Sequence, residues 1–344
     1  MASIKGRLFE FFVYRLLVAC GFKPVNPDGL LVYNGSPGLM VQGCGQPHNA
    51  DVLLSPPIQT PFYYPTRLWV ECKCYKHAIG LPQIRNALGL RDDINHFEIV
   101  TEDILINRRS NTSTAPKSYP VKRYVYQVAV ASIDGFTNTA FPFAQAHRIP
   151  LISFSNSALF ANIRDAIAEL DEFVSRNNIM SKQMDSYLCN VMLDSDIPAS
   201  ADRFDCNEWH TYIEEIERIA NHITIGLLED GTLLFLLQAE QMGNALYPLD
   251  TQHDGCTIHW SQENDSTWIL NNRGMVYHFE LPREIYYQWL RSEGKQRQQA
   301  LQIKRAYFSK IVLFNRSETD DPEVQVIKLS ENFMKRAENS LEND

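Results

Sequence analysis

The chain has 344 residues, 44% of them hydrophobic, which is enough for two domains with cores of their own. Its formal net charge of −9 argues against a protein that grips nucleic acid by overall charge, and no stretch approaches the ~20 apolar residues of a membrane helix. The average conceals an asymmetry: residues 1–165 hold 16 Lys and Arg against 11 Asp and Glu, and the remainder 16 against 30.

In chain order, Ile4 to Leu17 reads as an amphipathic helix closed by Gly21-Phe22. Leu17-Val18-Ala19-Cys20 is similar to a lipoprotein cleavage box, but Glu10 and Arg15 interrupt the apolar run that a signal peptide needs. Ala50-Asp51-Val52-Leu53-Leu54 and Arg67 to Lys73 read as strands, and Gly80 to Leu90 as a helix with Pro82 near its start. Glu98 to Pro120 is a long polar loop, and long loops inside a compact domain are commonly functional or disordered. Its Arg108, Arg109 and Lys117, with Lys122 and Arg123 beyond it, are candidates to flank a phosphate backbone. Tyr124 to Ser132 is a strand, Gly135 to Ala140 leads into a helix, and Ile149 to Ser153 is another strand. Ser157 to Arg176 and Met180 to Val191 continue as helices, and Asp194 to Asp205 reads as an acidic linker.

The acidic half has its own pattern. Trp209 to Ala220 is a helix with Trp209, Tyr212, Ile213, Ile216 and Ile219 at helical spacing. Two apolar strands meet at a Glu229-Asp230-Gly231 turn, Thr257 to Trp260 pairs with Trp268 to Leu270, and Met275 to Leu281 adds a strand. A helix from Pro282, broken near Gly294, runs to Tyr307; strands at 311–314 and 324–327 and a helix over 332–341 finish the chain. His253, His259 and His278 fit no standard metal spacing, and Trp260, Trp268, Tyr277, Tyr286, Tyr287 and Trp289 read as core rather than as stacking surfaces. The domains expected are 1–176, a helical and acidic linker over 177–205, and an α+β domain over 206–344. The seven cysteines show no paired Cys-x-x-Cys spacing, as suits free thiols in a reducing cytoplasm.

The chemistry lies in the first half. Glu-x-Lys recurs by chance about once in a chain of this length, and Glu293-Gly294-Lys295, in a polar stretch, is such a copy. Glu71-Cys72-Lys73 differs because it ends an apolar strand, where charge is rarely buried without a partner. Alternation along a strand turns Glu71 and Lys73 to one face, and Val70 and Cys72 to the other. With Asp51, this makes an oxygen-ligand site for Mg²⁺, which takes one or two protein carboxylates and leaves the rest to water and phosphate.

Taken together, the Gly6 to Glu10 pattern Gly-x-x-Phe-Glu, Gly21-Phe22, Asp51, Glu71-Cys72-Lys73 and the later strand followed by Gly135-Phe136-Thr137 and a helix resemble the PD-(D/E)xK nuclease superfamily. Within it, they resemble the Mrr-like restriction endonuclease group, over residues ~1–165. One departure is the run Gly43 to Ala50 before Asp51, where the family often has a Gly-rich segment. The resemblance implies an α/β restriction-endonuclease-like core, a mixed central sheet flanked by helices, followed here by the α+β C-terminal domain. It implies that Asp51 and Glu71, with the Cys72 backbone carbonyl, bind Mg²⁺ (or Mn²⁺), that Lys73 positions or activates water, and that Glu10 and Gln83 are auxiliary. The expected activity is endonucleolytic hydrolysis of DNA, with RNA as a further substrate class, by a cytoplasmic homodimer. A restriction or anti-phage role is expected by analogy, with the C-terminal domain sensing a signal, selecting targets or binding a protein or nucleotide regulator. The competing expectation is a non-catalytic binding scaffold that keeps the nuclease fold.

Overall fold

The computed structural model describes residues 4–35, 38–44, 46–59, 64–96, 124–155, 157–177, 179–193, 204, 206–229, 231–239, 255–260, 267–272, 274–282, 285, 296–315 and 323–342. The chain divides into two compact units. The first comprises 1–18, 22–156 and 162–216, and the second 19–21, 157–161 and 217–344.

The first unit is built on a five-stranded mixed sheet. Strands β1 (Lys23–Pro24), β5 (Val52–Ser55) and β6 (Thr66–Lys73) are antiparallel neighbours, and β7 (Val125–Ser132) and β8 (Leu151–Ser153) continue the sheet in parallel beyond β6. A separate antiparallel sheet of β2 (Val32–Asn34), β3 (Leu39–Gln42) and β4 (Pro47–Asn49) fills the run before Asp51. These strands, of three or four residues, are too short to show an alternation in the sequence. Strand β6 is the central element, paired along its whole length with β7 from Thr66↔Val125 to Lys73↔Ser132. Trp69, Val128 and Val130 pack with Ile84 and Ala87 of helix α2 (Leu81–Asn95) and with Ala140 and Phe141 of α3 (Ala140–Ala146).

Helix α1 (Ile4–Ala19) buries Leu8, Phe9, Phe11, Phe12, Val13, Leu16 and Leu17. A helix apolar almost all round belongs inside a domain, and this one is also held by the Tyr212 hydroxyl donating to the Leu8 carbonyl at 2.6 Å. Helix α4 (Ala161–Arg176) starts later than expected. Helix α5 (Ile179–Leu193) lies in the stretch read as a linker over 177–205, yet it buries Met184, Tyr187, Leu188 and Val191 and belongs to the first unit. Positions 194–203 and 205 lie outside the described residues. The division falls inside α6 (Asn207–His222), past the boundary expected at 206.

The second unit carries a seven-stranded antiparallel sheet, ordered β11 (Thr257–Trp260), β12 (Thr267–Asn272), β13 (Met275–Glu280), β10 (Leu233–Gln238), β9 (Ile223–Leu227), β14 (Lys310–Asn315), β15 (Glu323–Lys328). The expected hairpin is there: β9 pairs β10, with Gly231 at φ +86 in a turn where Leu228 and Thr232 are bonded. The outer strands meet at one end, where Cys256 donates to the Lys328 carbonyl and Ser330 donates to that of Cys256. A side chain at Gly255 would come within 2.7 Å of the Lys328 carbonyl, so the seam admits glycine there. The sheet's core takes in Ile258, Trp268, Leu270, Tyr277, Phe279 and Phe308, with helices α7 (Gln296–Tyr307) and α8 (Glu331–Glu342) contributing Leu301, Ile303 and Met334. Trp268 and Tyr277 are thus core residues, as read. Tyr286, Tyr287, Trp289 and His253 lie outside the described residues. No helix among the described residues is long and apolar enough to cross a membrane.

Candidate active site

The β5–β6 pairing runs from Leu54↔Leu68 to Val52↔Val70. One more step of that register sets Asp51 opposite Glu71. At that point the chain of β5 turns away, and a side chain takes over from the ladder: Asp51 Oδ2 accepts the Cys72 backbone N–H at 2.9 Å. The N–H and C=O of one strand residue project to the same side, so the Cys72 carbonyl shares the Asp51 edge. The next carbonyl, that of Lys73, faces β7 and accepts from Ile133 N at 3.3 Å.

Trp69, Glu71 and Lys73 share a face, as the alternation requires. Glu71 Oε1 accepts the Trp69 indole N–H at 2.7 Å, and Glu71 Oε2 accepts the Lys73 ammonium at 2.6 Å. Lys73 Nζ is also 3.6 Å from Asp51 Oδ2, so the ammonium sits between the two carboxylates. From α1, Glu10 joins them. It is 6% exposed, and its Oε2 lies 2.6 Å from Arg7 Nη1, while Arg7 Nε donates to Asp185 Oδ1 of α5 at 3.0 Å.

The electrostatics report an excess of acid. Burial, then the Asp51 carboxylate, push the Glu10 carboxyl up to about 8, against the pull of Arg7 and Lys73. Burial and Glu71 likewise raise Asp51, opposed by Lys73 and the Cys72 N–H. Burial draws Lys73 down, but Asp51 and Glu71 outweigh it and hold the ammonium charged. The Cys72 thiol, on the other face, is pushed up by burial and packs as an apolar side chain.

Among the described residues no group of three or more His, Cys, Asp or Glu side chains is gathered as ligands of a metal ion. A closed protein cage is therefore not what this edge offers. A hard cation with only part of its shell from protein is a different requirement, and here the donors are oxygens, in acid excess, at an edge whose side chains are 17–22% exposed. Both Glu71 oxygens already accept one hydrogen bond, and each keeps a second lone pair. The donor set fits Mg²⁺ or Mn²⁺ in that partial sense.

The structure thus brings together Glu10, Asp51, Glu71, Lys73 and the Cys72 backbone. Gln83, in the first turn of α2, is half-buried beside Gly80 and stands outside the hydrogen-bonded cluster. Arg108, Arg109, Lys117, Lys122 and Arg123 lie outside the described residues. Three participants escaped the sequence reading. Arg7 is spaced three residues from Glu10, a helical pair that the sequence does show. Trp69 is two residues from Glu71 on a strand and was readable from the same alternation. Asp185 is 178 positions from Arg7, and no local pattern announces it.

No family model matches this sequence, and no curated protein matches it. Among solved structures, the crystal structure of a protein of unknown function aligns with 62% of this chain and 98% of its own, at 13% identity and a TM-score of 0.29. That likeness is too slight to assign a fold, and it brings no function with it.

Proposed function

We propose that this chain is a metal-dependent endodeoxyribonuclease that hydrolyses DNA phosphodiester bonds at the Asp51–Glu71–Lys73 edge, with a restriction-endonuclease-like first unit. The observation that carries the reading is the lysine ammonium held between two strand-end carboxylates with a third, buried carboxylate beside them. The mixed sheet with helices packed on β6 and β7 is consistent with such a core.

Asp51, Glu71 and the Cys72 carbonyl would hold Mg²⁺, or Mn²⁺ in its place, with Glu10 as a further oxygen; when bound, the ion supplies a lowered pKa for its water and positive charge against the phosphate. The remaining work falls to the chain itself. Lys73 Nζ keeps its proton, so it donates to the attacking water or to charge developing on the phosphoryl oxygens, and it costs no reorganisation because both carboxylates already aim it. The Cys72 N–H fixes the Asp51 carboxylate, the Trp69 indole fixes that of Glu71, and Arg7 fixes Glu10. Each acidic side chain is thus oriented by a donor before substrate arrives. A homodimer would place two such edges for double-strand cleavage, and the second unit, with 19 Asp and Glu against 13 Lys and Arg over 217–344, would take a regulator or partner in a defence system.

Supercoiled plasmid incubated with the protein and Mg²⁺, Mn²⁺ or chelator tests this. Nicking that needs the metal and disappears in Lys73→Ala is the expected result. A biological effect that survives Lys73→Ala and Asp51→Ala together would favour the scaffold reading, in which Lys73 and Arg7 merely neutralise buried acid.

A further inference from the structure

Strand β6 ends at Lys73, and the residues that follow include Tyr75, Lys76 and His77, all exposed. Tyr75 is 42% exposed, yet its ring does not stand alone: it stacks on the His77 ring, centroids 5.6 Å apart and planes 23° from parallel. A single exposed aromatic needs no explanation, but two exposed rings lying near parallel make a larger flat surface.

The segment is fastened at both ends. Lys73 is in register with Ser132 of β7, and the buried Ile79 donates to the Gly135 carbonyl at 2.8 Å and accepts from Thr137 N at 2.9 Å. Two residues of backbone span at most about 7 Å, so the Tyr75 Cα is held within that distance of the Lys73 Cα. Successive nucleotides of one B-form strand advance about 3.4 Å. The ring is therefore within a few nucleotide steps of any phosphate held against Lys73. Stacked bases inside a duplex offer no free face to a side chain, whereas an unpaired base does, and base–aromatic stacking tolerates every base. Lys76, between the two rings in sequence, is exposed and adds a cation to the same surface, as a phosphate backbone requires.

We propose that Tyr75, stacked on His77 and flanked by Lys76, is a platform for an unpaired DNA base next to the cleavage edge, so that the substrate class is single-stranded or locally opened DNA. This rests on the nuclease reading of the same edge. Tyr75 positions the strand and does no chemistry.

The test is fluorescence anisotropy with an end-labelled single strand of about 12 nucleotides, the same strand made abasic, and its duplex, in Ca²⁺ with strands checked to be intact. The wild type should bind the base-bearing strand about tenfold more tightly than the abasic one. Tyr75→Leu, which keeps the bulk and loses the π face, should abolish that difference, and Tyr75→Trp should retain it; both should melt with the wild type, since the site is exposed. Equal affinity of the wild type for the base-bearing and abasic strands, tighter binding of the duplex, or an unchanged preference in Tyr75→Leu overturns the platform. Plasmid nicking separates the two readings. Nicking lost in Lys73→Ala, together with any of those results, overturns the platform alone. Tyr75-dependent binding without nicking overturns the nuclease reading and leaves a single-strand binding site. Binding to none of the probes, with no nicking, overturns both.

Discussion

Strand β6 carries charge at both ends, and the two ends are settled in different ways. At its start, Arg67 is 6% exposed, donates to the Tyr126 hydroxyl at 2.9 Å and stacks 3.6 Å from the centroid of the Tyr124 ring. No carboxylate lies within ion-pair distance of it among the described residues, and its Nε is buried without a hydrogen bond there. Burial raises the Tyr126 hydroxyl, which therefore remains a neutral acceptor. At the far end, Asp51 and Glu71 flank Lys73, Glu10 is electrostatically coupled to Asp51 and Lys73, and Arg7 shares itself between Glu10 and Asp185. A buried charge on a strand is thus not a site in itself. Arg67 is met by neutral aromatic partners, while at the other end Asp51 raises the Glu10 carboxyl and Glu71 raises that of Asp51. That second condition is the one associated with chemistry.

The comparison breaks most sharply on activity. Lys73→Ala should lower the nicking rate by about 10²–10³-fold, the cost of removing one preorganised donor to transition-state charge. Asp51→Ala should abolish nicking by losing the ion. A thermal-shift series in Mg²⁺ separates the causes: the shift vanishes in Asp51→Ala and persists, or grows, in Lys73→Ala, where the carboxylates are left with no ammonium between them. Equal loss of the Mg²⁺ shift in both variants would mean that Lys73 helps to hold the ion site rather than the transition state.

At the other end of the strand the same kind of change should touch stability alone. Arg67→Ala loses a charge-assisted hydrogen bond and a cation–π contact and should cost about 2–4 kcal/mol in urea unfolding. Arg67→Met, which keeps the packed stem, should cost less. Neither should change nicking. A fall in nicking with Arg67→Met would show that the two ends are coupled and that their contrast is overdrawn.

What the sequence disclosed and what it withheld follow the reach of each interaction. Glu71 and Lys73 were legible because alternation along a strand is local, and the apolar run Leu68-Trp69-Val70 marks it. The hairpin at Gly231 was legible because turn residues punctuate two apolar runs. Helix α5 was half-legible: its helical stretch was read, but its place in the first core depends on partners far away in sequence. The small sheet before Asp51 left no trace, since strands of three or four residues carry too few positions for a period. In the site, Asp51 was found by type and not by geometry; that its carboxylate replaces a missing ladder carbonyl at Cys72 is visible only once β5 is paired.

The smallest effect sharpens the contrast through pH. Glu10 is held up at about 8, by burial first and Asp51 second, whereas an unfolded glutamate titrates near ~4.3. Between those values the native state keeps a proton that the unfolded state has released, so stability falls as pH rises through the window and is level above it. Asp51 is shifted in the same direction and adds to the slope, and Arg7 and Lys73, the cations facing Glu10, keep their charge throughout. The metal-free protein should therefore melt several degrees lower at about pH 8 than at about pH 5, at roughly 2–4 °C per kcal/mol. Glu10→Gln cannot titrate and should flatten the curve, as should Mg²⁺, which supplies the missing positive charge. Arg67→Met should keep the wild-type slope at a lower melting temperature, because among the described residues the partners of Arg67 at the start of β6 are neutral aromatic rings. Parallel curves for the wild type and Glu10→Gln would show that Arg7 alone neutralises Glu10 and that the acid excess at the site is smaller than its geometry indicates.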